Sequence, residues 1–382
     1  MKESLSVHIR TAKLPLRSAF VTAGWAISSR HVMLVELRAE DGLRAFGESA
    51  PLPALGTETF DRSLEALRGA AHVLTAEPIG PAHLENFDSV FPCLEQTPCA
   101  RFAVETALLD LFARRNGLPL ARFLVAGTGG QAAPVVRVNA VLTEEDPLGI
   151  ASRCRDLAAK GYRCLKIKVG VFPLAVDVER VAAAREASPD DTLIRLDANG
   201  KWSIEEARTA IHVFRHMGIE YIEQPIPAGA MEALRRLKSD SPIPIAADES
   251  AHPLERARVL LVEDACDLFI LKPMAAGTLV ACRSFAREAH AAGKAVVFTT
   301  MIDGPVARSA VAHLAASIPS VLLRHHGLST GGIFPDDPLE RNVRDGQYFL
   351  GSAPGIGFDA GELIGWYPSS DHDAISIRVP QD

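Results

Sequence analysis

Five short apolar runs, each closed by an ionisable residue, constrain this chain more than any other feature. They span residues 164–169, 193–196, 219–222, 243–247 and 268–271. In order they carry Lys166-Ile-Lys168, Asp197, Glu223, Asp248 and Lys272. From Lys168 onward the charged positions are separated by 29, 26, 25 and 24 residues. A strand, a loop, a helix and a return loop need about 25 residues, so this is the rhythm of a βαβ repeat. In a parallel barrel, the C-terminal ends of such strands converge on one mouth, where active sites are built.

The rest of the chain fits around that repeat. Residues 4–10 and 31–38 read as strands, and 31–40 with 43–48 read as a hairpin about Asp41-Gly42. Residues 59–71 and 100–116 show helical spacing, the second with Thr97-Pro98 before it and Gly117 after it. This predicts an α+β capping domain over residues 1–130. A Gly/Ala-rich stretch, 127–134, leads into a first barrel strand at 135–142. Helical patterns at 147–160, 174–187, 204–217, 230–239, 253–262, 278–292 and 305–317 alternate with the runs. Two more strands are expected, at 295–300 and 320–324. The fold class is therefore α/β, a modified (β/α)8 barrel over residues 131–330. The tail, 331–382, ends in an alternating strand at 374–379, which is expected to return to the N-terminal sheet.

Composition narrows the class of partner. Hydrophobic residues make up 48% of the 382, enough to bury a core. The formal charge is −7 with both signs interspersed, which gives no basic face for nucleic acid. No apolar run reaches the roughly 18 residues of a membrane span. The six cysteines (93, 99, 154, 164, 266 and 282) contain no Cys-x-x-Cys pair. They read as reduced thiols of a cytoplasmic protein.

Three carboxylates, Asp197, Glu223 and Asp248, close adjacent strands about 4.8 Å apart. Unpaired, they would repel one another. A divalent cation removes the conflict, and an all-oxygen set favours Mg²⁺, with Mn²⁺ as the substitute. The competing reading pairs them with Lys166, Lys168 and Lys272. Lys166 and Lys168 lie two apart and point to the same face. Lysines flanking a metal suit removal of a proton next to a carboxylate, because both stabilise the resulting enediolate. Lys168 is the expected base, with Lys166 lowering its pKa and Lys272 facing it across the substrate. A Schiff-base aldolase would need one such lysine but not three acids in register. A binding protein that had lost its chemistry would not need the complete set.

Taken together, Lys166-x-Lys168, Asp197-x-Asn199, Glu223-Gln-Pro, Asp248-Glu249-Ser and Lys272 resemble the enolase superfamily, in its muconate-cycloisomerase-like subgroup. The resemblance covers nearly the whole chain. It implies that Asp197, Glu223 and Asp248 hold Mg²⁺, that Lys168 and Lys272 are the acid/base pair, and that the chain self-associates. Asn199, Glu249 and Asp303 are then candidates for substrate or supporting contacts. Gly24 (in 17–29) and Gly56 (in 51–58) are candidate hinges of closing loops. Within the subgroup, Gly47-Glu48-Ser-Ala-Pro, residues 100–110, Leu271-Lys272-Pro273 and Gly327-Leu-Ser-Thr are similar to the o-succinylbenzoate synthase family. That similarity implies a syn dehydration of a cyclohexadiene carboxylate in menaquinone synthesis. The alternative is isomerisation: a dipeptide epimerase, an N-succinylamino-acid racemase or a cycloisomerase. Residues 275–278 lack the usual Gly-Gly pair, and Met301-Ile-Asp303-Gly304 looks closer to the cycloisomerase pattern. His325 and His326 are read as packed or solvated, and Trp25 and Trp202 as packing residues.

Overall fold

A computed structural model describes residues 5–21, 26–76, 78–321, 324–328, 333–367 and 375–377. The N-terminal unit is an antiparallel sheet of β1 (Leu5–Val21), β2 (Ala26–Ala39) and β3 (Arg44–Ser49). A strand from the far end of the chain, Ile375–Ile377, pairs with β1, so the order is tail, β1, β2, β3. β1 and β2 run much further than 4–10 and 31–38. Their pairing continues to Val21 opposite Ala26, with an irregularity between Pro15 and Phe20. Most of the expected 17–29 loop is thus a two-stranded ribbon, and Gly24 and Trp25 lie outside the described residues.

Two helices cover this sheet: α1 (Phe60–Ala76) and α2 (Pro98–Arg115). α2 is nearly all buried, and its alanines let it lie close to β3. Gly47 shows how close: a Cβ there would stand 1.9 Å from the carbonyl oxygen of Ala103. That is inside any van der Waals contact, so only glycine fits. Asp110 of α2 accepts from the Phe46 amide (2.9 Å) and the Ile356 amide (2.8 Å), tying sheet, helix and tail together.

The second unit is a curled parallel sheet of seven strands. They are β5 (Ala140–Leu142), β6 (Cys164–Lys168), β7 (Leu193–Asp197), β8 (Ile219–Glu223), β9 (Ile245–Ala247), β10 (Leu268–Leu271) and β11 (Ala295–Phe298), neighbours in that sequence. Helices lie between successive strands, among them Pro147–Ala159, Leu174–Ala187, Ile204–Phe214 and Leu279–Ala291, and Pro305–Ala316 follows the last. Their buried residues join the outward-facing strand residues in one large core.

Two strands differ from the sequence reading. The 135–142 run breaks in the middle. Its first half, β4 (Val135–Arg137), pairs with β13 (Gln347–Phe349) and through it with β12 (Val343–Arg344), outside the barrel sheet. The eighth strand expected at 320–324 is not a strand where it is described. Pro319 opens a 3-10 turn over Pro319–Val321. The barrel is closed a little later by single bridges, Val138 to His326 and Thr299 to Gly327. Gly327 is needed there, since a Cβ would meet the Thr299 hydroxyl oxygen at 2.4 Å.

The two units are locked by buried carboxylates on helix starts. Glu48 of β3 accepts from the Gly304 amide (2.5 Å), the Ala307 amide (3.2 Å) and the Tyr367 hydroxyl (2.6 Å). Glu105 of α2 accepts from Thr278 Oγ1 (2.5 Å) and the Leu279 amide. Both carboxylates thereby satisfy N–H groups that a helix start leaves without partners. Glu58 does the same for α2 itself, through the amides of Cys99 and Ala100.

Candidate active site

Strand register brings the predicted residues to one place. Lys168 is opposite Asp197 and Asp197 opposite Glu223, with Asp248 directly after β9 and Lys272 directly after β10. From β6 to β10 the order is lysine, three carboxylates, lysine. The two lysines therefore stand at opposite ends of an acidic arc.

The side chains close this arc on itself. The Lys166 ammonium bridges Asp197 Oδ2 (3.0 Å) and Glu223 Oε1 (2.9 Å). Lys168 donates to Asp197 Oδ2 and Asn199 Oδ1, both at 2.6 Å. Lys272 donates to Asp248. Asn199 also donates to Glu249 Oε1 (3.0 Å), linking the loops after β7 and β9. It does so from a left-handed backbone, φ 44°, which asparagine tolerates better than most residues. Gln224 does similar work underneath. Its carbonyl accepts from the amides of Asp248 and Ser250, 3.0 Å each, and fixes the turn that carries Asp248.

The electrostatics follow from burial. Burial and the charge of Asp197 push Glu223 up to about 8. Burial also acts to raise Asp197, but Lys166 and Lys168 outweigh it and hold that carboxyl low. For Lys166, burial alone would favour the neutral amine, yet Asp197 and Glu223 carry its pKa well above the usual value. Lys272 is raised in the same way, against burial, by Asp248 and Glu249.

Among the described residues, no three acids, histidines or cysteines are gathered around a common metal point. The donor set nevertheless fits a hard divalent cation. All its atoms are oxygens. Burial and the neighbouring Asp197 charge both work against an ionised Glu223, a conflict that a bound cation relieves. Glu249 Oε2, next to Asp248, is buried with no hydrogen-bond partner.

Other candidates sit apart. Asp303 is buried at the joint between the units, accepting from the Met301 amide (3.2 Å). Burial and Glu48 push it up to about 7. Arg30 lies over this joint, donating to Ile302 O (3.2 Å), Pro51 O (3.0 Å) and Ala50 O. Gly56 ends the turn Pro53–Leu55 with φ 82°. It rims a groove of about 790 Å³ that runs between capping unit and barrel to Glu249, His252 and Lys272. His326 is structural, accepting from the Phe298 amide (2.9 Å). Trp202 is buried in the core.

Sequence reasoning missed His252. Its Nε2 accepts from the Lys272 amide (3.4 Å), and burial and Lys272 press its pKa down to about 4, so it is neutral. Its place four residues after Asp248 was the available signal.

A model of the enolase C-terminal domain-like family matches residues 149–363. A model of the mandelate racemase / muconate lactonizing enzyme N-terminal domain matches residues 4–124. This chain belongs to the enolase superfamily. Its relatives place it in the muconate-cycloisomerase-like subgroup, and it is an enzyme of that superfamily. An N-succinyl-L-Arg/Lys racemase of Bacillus cereus is 27% identical over 94% of this chain and 95% of its own. A muconate cycloisomerase 1 of Pseudomonas putida is 30% identical over 94% and 95%. A dipeptide epimerase of Enterococcus faecalis, solved with Mg and the dipeptide L-Leu-L-Tyr, superposes with TM-score 0.84. It is 28% identical over 94% of this chain and 99% of that one. All three are isomerases, so they favour isomerisation over the dehydration that the sequence motifs put first. Among the described residues no helix is long and apolar enough to cross a membrane.

Proposed function

We propose that this enolase-superfamily member is a Mg²⁺-dependent racemase or epimerase of N-acylated or peptide-linked α-amino acids. The observation that carries the proposal is the placement of two lysines at the two ends of one acidic arc, after β6 and β10. Inversion at a carbon needs a proton removed from one face and delivered to the other. Dehydration or cycloisomerisation can proceed with one.

Asp197, Glu223 and Asp248 would hold the Mg²⁺, with Glu249 and Asn199 fixing the loops around them. The ion supplies charge to stabilise an enediolate. Lys168 takes the α-proton from one face, its ammonium steadied by Asn199. Lys272, kept protonated by Asp248 and Glu249, delivers a proton to the other. Lys166, bridging Asp197 and Glu223, spaces those carboxylates and keeps positive charge beside the enediolate. The racemase and the epimerase among the relatives support this reading and its substrate class.

The test is α-deuterium uptake in D₂O by separate enantiomers of N-succinylamino acids and dipeptides. Lys272→Ala should stop inversion while one enantiomer still exchanges at Lys168. If inversion survives that change, or the only turnover found is loss of diene absorbance from the cyclohexadiene substrate, the proposal fails.

A further inference from the structure

The inside of the barrel is closed by apolar side chains along β8 to β11. Interior positions Tyr221, Ala246, Ile270 and Val297 are 1%, 0%, 1% and 2% exposed. Val141 of β5 is 41% exposed. Its direction is set by register. Val141 is the parallel partner of Lys166, whose ammonium reaches Asp197 and Glu223 inside the barrel. Its neighbours Ala140 and Leu142 face the other way, into the core against the Pro147–Ala159 helix. A bare valine thus looks onto the reaction centre, at the depth of Lys166.

The sheet explains why. The chain kinks out of the barrel at β4, and the eighth position is held by isolated bridges rather than a paired strand. Three described residues at that edge are small or turned away. Gly327 has no side chain, and His326 is turned into the core against Phe298. Thr299 donates to the Gly327 carbonyl (3.3 Å). Among the described residues, this arrangement leaves Val141 open.

We infer that Val141 is a specificity-determining wall: it takes an apolar substituent on the carbon next to the substrate carboxylate. This deepens the proposed function and rests on it for the position of that carbon. With the carboxylate drawn to a cation that the acidic arc would hold and the α-carbon beside Lys168, one substituent would lie along β5. A methyl-bearing surface there favours an aliphatic group over a charged one, because covering it removes apolar area from water. One well-placed methylene is worth roughly tenfold in such a pocket.

The test does not need turnover. Binding of acetate, butyrate, 3-methylbutanoate and phenylacetate is measured by calorimetry with Mg²⁺, for wild type and for Val141→Asp and Val141→Thr. The wild type should gain at least about tenfold in affinity from acetate to 3-methylbutanoate, which adds three carbons. Val141→Thr should lose part of the gain, and Val141→Asp all of it. A flat series in the wild type, or the same increments in all three proteins, would overturn the assignment. Circular dichroism and Mg²⁺ binding confirm that the variants are folded. The racemase reading is judged separately by deuterium uptake, so either can fail while the other stands.

Discussion

Replacing Asp303 by asparagine should make the protein more stable at neutral pH and leave it unchanged in acid. Asp303 lies at the joint between capping unit and barrel, fully buried, with Glu48 nearby and Arg30 above. Burial and the like charge of Glu48 raise it from 3.8 to about 7. A raised carboxyl binds its proton more tightly folded than unfolded. Stability is therefore greatest below about pH 4 for this group and declines as pH rises to about 7. Three pKa units correspond to about 4 kcal/mol, an upper figure because the neighbours relax. Asparagine keeps the acceptor for the Met301 amide and carries no proton to lose. In urea titrations from pH 4 to 8.5, the variant should match wild type at the acid end. It should gain steadily until about pH 7 and then level off at a few kcal/mol. A difference independent of pH, or a wild type that gains on the variant as pH rises, would refute the reasoning.

Other outcomes follow from the same geometry. Lys168→Ala should abolish α-proton exchange while Mg²⁺ binding and fold persist; retained exchange would remove Lys168 as the base. Glu223→Gln, at the centre of the acidic arc, should weaken Mg²⁺ at least tenfold by calorimetric titration, since it removes a charged ligand atom. EDTA should silence the wild type, and activity that survives chelation would count against the metal role. Gly47→Ala should cost about 1–3 kcal/mol in denaturant, because its Cβ must displace the Ala103 carbonyl of α2.

The acidic arc and its lysines were legible because each residue ends an apolar run, and strand ends in a parallel barrel meet by construction. Fold class and order of elements came from the same periodicity. What was not legible depended on partners distant in sequence. The 320–324 run has the composition of a strand, but Pro319 starts a turn and the barrel closes on Gly327, where lack of a side chain matters more than propensity. β4 reads as continuous with β5, yet its partner, β13, lies more than 200 residues later. Glu48 and Glu105 stood in recognisable motifs, but a motif does not say that a carboxylate caps a helix in another unit. His252 offered only its spacing from Asp248, and Val141 carries no signal of its own. Their interest arises only from the side chains that surround them, or fail to.

The carboxylate locks at Glu48 and Glu105 bear on how such an enzyme can be taken apart. Each fills the start of a barrel helix with an oxygen supplied by the capping unit. Cutting the chain between the units would strip both helices of their N-terminal partners and strand two buried acids in the other fragment. Neither half is then a self-sufficient module. In evolutionary terms the pair has to be inherited whole: recombination that swaps one capping unit for another must bring a glutamate to each helix start or lose the barrel along with the lid. Substrate preference is freer to drift through a residue such as Val141, whose exposed side chain supports nothing else.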